Sequence, residues 1–231
     1  MKKRFMKIAT ISTAAVALVV VTVLVTVAYL TSFSTVSNTF SVGRVGIQMY
    51  ESAVDTGGVA IADTDKNGSM KDSSQNHYTL IPGKTYAKDP TIYVDKDSAD
   101  SFLFVTVLNE IASIEAEGDA SVAAQMLKNG WKKLEGVTSS KGDVYYYAKN
   151  SEGQLADDAV SVLSNGVGYD VFSTFSIKND AVVRDYNNKK IELTAYAIQA
   201  DTFTTGANAE AATSAWQAIV QTYPEAGAVT P

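Results

Sequence analysis

The chain of 231 residues sets 25 Asp and Glu against 19 Lys and Arg for a formal charge of −6, is 46% hydrophobic and has no cysteine. Phosphate neutralisation needs clustered cations, so an acidic body argues against nucleic acid or an anionic membrane surface as partner. Without cysteine there is no disulfide staple and no thiol nucleophile, and stability must come from a core, which roughly 200 residues are enough to bury.

Lys2, Lys3, Arg4 and Lys7 precede an uncharged run over residues 8–30. A basic start followed by a long apolar stretch is an export signal, which places the protein outside the cytoplasm, secreted or at the cell surface. Thr26 and Ala28 are small residues where a signal peptidase needs them, so residues 1–28 form a signal peptide cut between Ala28 and Tyr29. About 20 apolar residues also suffice to cross a bilayer, so the same helix retained as a membrane anchor is the other open fate. Cutting after Ala28 removes four basic residues and no acidic one, leaving the remainder more acidic still. Export without disulfides is the habit of single-membrane, Gram-positive bacteria rather than of eukaryotic secretion.

Residues 29–39 are an extended, Ser/Thr-rich arm. From Phe40 the pattern alternates, with Val45, Ile47 and Met49 on one side and Arg44, Gly46 and Gln48 between, which predicts a half-buried strand. The polar residues 55–76 read as a surface loop and Pro82-Gly83 as a turn. Ile92 and Val94 mark a strand, and residues 102–107, apolar on both faces, a central one. Asp119 as N-cap and Gly130 as C-terminal glycine bracket a predicted helix near 119–129 with Val122, Met126 and Leu127 in a stripe. Residues 131–134 and 144–148 flank a hairpin turn at Ser139, Ser140, Lys141 and Gly142. Residues 169–177 and 191–200 are strands by their β-branched and aromatic content. Ala212, Trp216, Ile219, Val220 and Tyr223 fall at helical spacing near 209–223, with Pro224 as the stop. The fold class is therefore all-β with minor helices, a single jelly-roll-like β-sandwich over residues 40–231.

Several stretches together resemble the TasA/camelysin family of exported bacterial proteins, whose signal peptides are cut by a SipW-type signal peptidase. They are Ala28-Tyr29-Leu30 at the end of the apolar run and Ser37-Asn38-Thr39-Phe40-Ser41-Val42-Gly43 entering the first strand. Ile81-Pro82-Gly83-Lys84, Lys88-Asp89-Pro90, Ala195-Tyr196-Ala197-Ile198-Gln199-Ala200 with Phe203, and Trp216 complete the match; residues 112–170 contribute nothing to it. The resemblance implies a non-enzymatic subunit that polymerises with itself, head to tail, into extracellular fibres of a biofilm matrix, with other matrix proteins or polysaccharide as further partners. Signal cleavage would free the arm as a donor strand. Tyr29, Leu30, Phe33, Val36 and Phe40 are its assembly residues, since an extended segment can pair with an open sheet edge while alternate side chains fill pockets. The plainer alternative is an arm that stays a leader or folds back on its own sheet.

Asp63, Asp65, Asn67 and Ser69, with Gly68 between, space oxygen ligands as a calcium loop does, and Asp72 could add a carboxylate; the terminal Glu of such a loop is replaced by Ser74. The bland reading is a solvated acidic turn. Asp95, Asp97 and Asp100 read as a charged turn. Relatives of the camelysin type are described as metallo-endopeptidases, but catalytic zinc takes several ligands and this chain has one histidine, His77, followed by Tyr78. No G-x-S-x-G elbow is present, and Gly166 and Gly168 form no phosphate loop. Trp131 with Tyr145, Tyr146 and Tyr147 is either sheet core or, if exposed, a glycan-binding ladder. A calcium- or glycan-binding surface module, monomeric or anchored, is the competing function.

Overall fold

The computed structural model describes residues 45–55, 57–61, 76–137, 139–163, 167–203 and 210–227. The chain divides after Val42, and every described element belongs to the unit Gly43–Pro231. The strands in chain order are β1 (Ile47–Tyr50), β2 (Thr85–Ala87), β3 (Thr91–Val94), β4 (Ser101–Asn109), β5 (Trp131–Lys133), β6 (Asp143–Tyr147), β7 (Gly168–Asp170), β8 (Thr174–Ser176) and β9 (Ile191–Gln199). Helix α1 (Val122–Asn129) lies between β4 and β5, while α2 (Ala211–Thr222) and α3 (Pro224–Gly227) follow β9. Among the described residues no helix is long and apolar enough to cross a membrane.

All ladders are antiparallel: β5-β6-β4-β9 in one sheet, β1-β3-β7 in a second and β2-β8 in a third. β4 organises the molecule because both its faces are apolar, as its sequence predicts. Leu103, Val105 and Val107 point into a core shared with Ile92, Val94, Tyr86, Phe172 and Phe175, so the two small sheets cover that face. Phe102 and Phe104 point the other way, where Val144, Tyr146 and Tyr196 meet Ala212, Ala215, Trp216 and Ile219 of α2. A strand buried on both sides loses the polar alternation of a half-exposed one and gains about 1.5–3 kcal/mol for each large side chain removed from water.

Local chemistry explains the boundaries. The predicted β5-β6 hairpin forms, and Gly142 at φ 95° is required because a Cβ there would run into the Val107 carbonyl. α1 ends, as expected, on the left-handed Gly130, whose N–H donates back to Leu127 and Met126 carbonyls. Its N-cap is Ser121 rather than Asp119: Asp119 sits in a preceding 3-10 turn, and the Ser121 hydroxyl accepts from the Ala124 N–H at 3.2 Å. Leu127 is half exposed, leaving Val122 and Met126 as the buried stripe.

Residues 169–177 are not one strand. β7 and β8 belong to different sheets, and the consecutive Val171 and Phe172 between them are both fully buried, which a continuous pleat with one solvent face cannot achieve. α2 ends at Thr222; Pro224 opens the short α3 instead of merely stopping α2, its missing N–H being no loss at a first helical position. Tyr223, counted in the buried stripe, is half exposed, its ring 6.1 Å from that of Tyr196. β2 was not foreseen, since only three residues form it.

Candidate functional site

Two features of the described residues stand out as candidate sites, a buried polar network beside a cleft and an open strand edge. The first stands where the ends of β1 and β2 meet the segment 76–80. Glu51 directly follows β1 and Lys88 directly follows β2. The Lys88 ammonium donates to Glu51 Oε2 at 2.7 Å, and the two side chains are only 10% and 15% exposed. The other carboxylate oxygen, Oε1, accepts from Asn76 Nδ2 at 2.7 Å. The Tyr78 hydroxyl donates to the Ala87 carbonyl at 2.9 Å and lies 3.3 Å from Oε1; burial first, then the Glu51 charge, push its pKa well above the ordinary phenol value, so it stays a donor.

Asn76 is held at both ends of its amide. Its Nδ2 also donates to the Ser52 carbonyl at 2.8 Å, and its Oδ1 accepts from the Val54 N–H at 3.1 Å. Asp89, next to Lys88, accepts from the Ser52 N–H at 2.8 Å and the Ser52 hydroxyl at 2.6 Å. Lys88-Asp89-Pro90 thus ties the exit of β1 to the entry of β3. Ile81-Pro82-Gly83 does similar work: Gly83 takes φ 75°, and the Tyr86 hydroxyl accepts from the Ile81 N–H and donates to the Thr79 carbonyl, both at 2.7 Å.

Outward from this network opens a cleft of about 830 Å³. Among the described residues, its charged lining is all basic: Lys88, Arg184, Lys189 and Lys190, beside His77 and three asparagines. Each cation has a carboxylate partner, Lys189 with Glu110 at 3.1 Å, Arg184 with Asp185 at 3.7 Å and Lys190 with Glu192. Lys189, and the N–H of Lys190, hold the Glu110 carboxyl below its usual range.

The second feature is an edge. Among the described residues β9 has β4 as its sole strand partner, although it is nine residues long. Leu193, Ala195, Ala197 and Ile198 on it are only partly buried. β1, an end strand of its own sheet, comes within 8 Å of β9 between Cα atoms, so two sheet ends lie beside each other.

The residues singled out from sequence fall as follows. Ala28, Tyr29, Leu30, Phe33, Val36 and Phe40 lie outside the described residues, as do the loop residues Asp63, Asp65, Asn67, Ser69 and Asp72. His77 is exposed at the cleft. Asp95 accepts from Gln48 Nε2 at 2.9 Å and its carbonyl from the Ser98 N–H at 3.0 Å, a turn next to exposed Asp97 and Asp100. Among the described residues no three His, Cys, Asp or Glu side chains are grouped to hold a metal.

Of the two readings of the aromatic group, the core one holds: Trp131, Tyr145 and Tyr146 are buried and Tyr147 is partly buried against the same core, with Trp131 Nε1 donating to the Asp170 carbonyl at 2.8 Å, and burial raises the Tyr145 hydroxyl to about 12. Buried rings present no platform to a glycan. Glu51, Glu115 and Asp158 were missed. None of them sits in a recognisable local motif; Glu51 and Asp158 act on groups far away in sequence, and Glu115 on the Asn109 amide and the Val122 N–H across the loop that leads into α1. No protein-family model matches the chain, and no curated protein is significantly similar to it.

Proposed function

We propose that this protein is a secreted structural subunit of extracellular or cell-surface fibres, with a jelly-roll-like sandwich whose residues 29–39, freed by cleavage between Ala28 and Tyr29, pair with an edge of the next copy. The observation that carries the reading is β9, among the described residues a nine-residue end strand with half-buried apolar side chains, beside β1, likewise an end strand among them. Natural sheets blunt long edges with charge, proline or bulges; on β9 the charged Glu192 is near one end and residues 193–199 carry no such device. Eleven extended residues span roughly 36 Å against roughly 30 Å for nine, so the arm is long enough to follow β9 and still cross to a neighbour. Head-to-tail donation does not close on itself and gives a filament.

The test compares a chain beginning at Tyr29 with one beginning at Phe40. The first forms fibres by negative-stain microscopy and sediments; the second stays monomeric. Equal fibre content in both overturns the reading. The competing reading, a surface module that binds glycan, draws on the basic cleft; it gains if the Tyr29 chain stays monomeric and retains polysaccharide. Neither reading includes catalysis, since the lone His77 sits exposed among lysines and asparagines. Calcium binding at Asp63, Asp65, Asn67, Ser69 and Asp72 belongs to the proposal as well: calcium raises the melting temperature, and Asp63→Ala with Asp65→Ala removes the rise. Calorimetry without a calcium response in the parent protein ends that part.

A further inference from the structure

The geometry points to Lys88, Asn76 and Glu51 as a self-crosslinking site, in which the Lys88 amine and the Asn76 carboxamide condense to an isopeptide bond. Both reacting groups donate to opposite oxygens of the one Glu51 carboxylate, each at 2.7 Å. Two donors so placed are no more than roughly 8 Å apart, and rotation of the long lysine side chain closes such a gap.

Each chemical role is filled. Lys88 Nζ, nearly buried and held by hydrogen bond to Glu51, is the nucleophile. Asn76 Cγ is the electrophile. Its Oδ1 already accepts from the Val54 N–H, a fixed donor where negative charge would develop. Glu51 touches both nitrogens and is the proton carrier.

The step balances without a co-reactant. Glu51 takes a proton from the Lys88 ammonium, and neutral Nζ forms a bond to Cγ. The Cγ–Nδ2 bond then breaks as the second proton shed by Nζ is relayed by the Glu51 carboxyl to Nδ2, which departs as ammonia. Glu51 ends as a carboxylate once its extra proton leaves with the ammonia as ammonium. Nothing is oxidised or reduced. Lys88, Asn76 and Tyr78 all line the open cleft, which gives ammonia a way out.

A nearly buried ion pair is a poor device for stability alone, because desolvation offsets most of its attraction, so holding this one beside a doubly anchored carboxamide calls for another use. In a chain without cysteine it supplies a covalent staple where no disulfide can form.

Peptide mapping by mass spectrometry of the full chain, folded and aged in buffer, tests this whatever its N-terminus. Trypsin cuts after Lys84, between the two residues, so a crosslinked protein yields one branched peptide that joins the Asn76 and Lys88 segments and is lighter by one ammonia. Lys88→Arg keeps the charge, and Glu51→Gln keeps the shape; both return two separate linear peptides while circular dichroism shows the fold retained. Linear peptides of full mass from the folded parent protein overturn the inference, as does an Asn76 peptide showing deamidation alone. A branched peptide that persists in Glu51→Gln removes Glu51 from the chemistry and overturns the mechanism.

Discussion

Replacing Asp158 by alanine probes how α2 is held over the sheet. Glu210, in the N-cap position of α2, makes no side-chain cap. Asp158, more than fifty residues earlier, does so instead: its Oδ2 accepts from the Ala211 N–H at 2.9 Å and its Oδ1 from the Ala212 N–H at 2.8 Å. Ala211 and Ala212 are buried, so water cannot replace the lost acceptor. Loss of an N-cap costs about 1 kcal/mol, the carboxylate at the positive end of the helix adds about 0.5, and stranding a buried N–H adds about 1, for a total of about 2–3 kcal/mol. For a domain of this size that lowers the melting temperature by about 5–10 °C. Circular dichroism follows the transition, and Trp216 fluorescence reports whether α2 loosens first, since its ring lies against Phe104 at 5.7 Å and Tyr196 at 5.5 Å. Asp158→Asn keeps one acceptor and falls between parent and alanine variant. A melting temperature for Asp158→Ala within about 1 °C of the parent would refute the remote cap.

Glu115 supplies a pH dependence. Burial raises its pKa above the ordinary 4.5, against the Val122 N–H and Asn109 amide that it accepts from. A folded value above the unfolded one means that its contribution to stability is full below about 4.5 and is lost as pH rises through the folded value. Urea unfolding of parent and Glu115→Gln across that window shows the difference between them growing in favour of the variant as pH rises; parallel curves count against it. Gly142→Ala combines φ 95° with a clash against the Val107 carbonyl and costs about 3 kcal/mol or more, whereas Gly136→Ala, at φ 72° with open space around it, costs only about 1. Equal losses in urea would show that the close approach of β4 to the hairpin turn is not what demands glycine.

The elements readable from sequence were those whose pattern is local. β4 and β9 announce themselves by β-branched and aromatic runs, α1 by its terminal Gly130, and the hairpin by Ser139 to Gly142. The 169–177 stretch misled because Val171 and Phe172 satisfy strand propensity while serving as a crossing between two sheets, and propensity does not say which sheet a residue joins. Ser121 displaced Asp119 as cap because either residue type suits the position and only backbone geometry decides. The Glu51, Lys88 and Asn76 cluster joins three short segments whose meeting depends on sheet register, so no spacing rule could reveal it. Lys88-Asp89-Pro90 stood out only as a likeness.

If residues 29–39 pair with β9 of the next copy as proposed, the energetics locate the specificity of that pairing in the side chains. Ordering an arm residue costs about 1–2 kcal/mol, and each new backbone hydrogen bond returns about 0.5–1.5, so the main chain alone roughly breaks even. Burying Leu30, Phe33 and Val36 adds about 1.5–3 kcal/mol each, and that surplus is what would hold a fibre together. Partly buried Leu193, Ala195, Ala197 and Ile198 offer β9 side chains for them to cover. Fibre yield should therefore track the size of these three arm residues. Replacing Phe33 and Val36 by serine keeps the length and main chain of the arm, and the expected outcome is fibres weakened nearly as much as by deleting residues 29–39. Full fibre formation by the serine variant would move the adhesion from the side chains to some other surface.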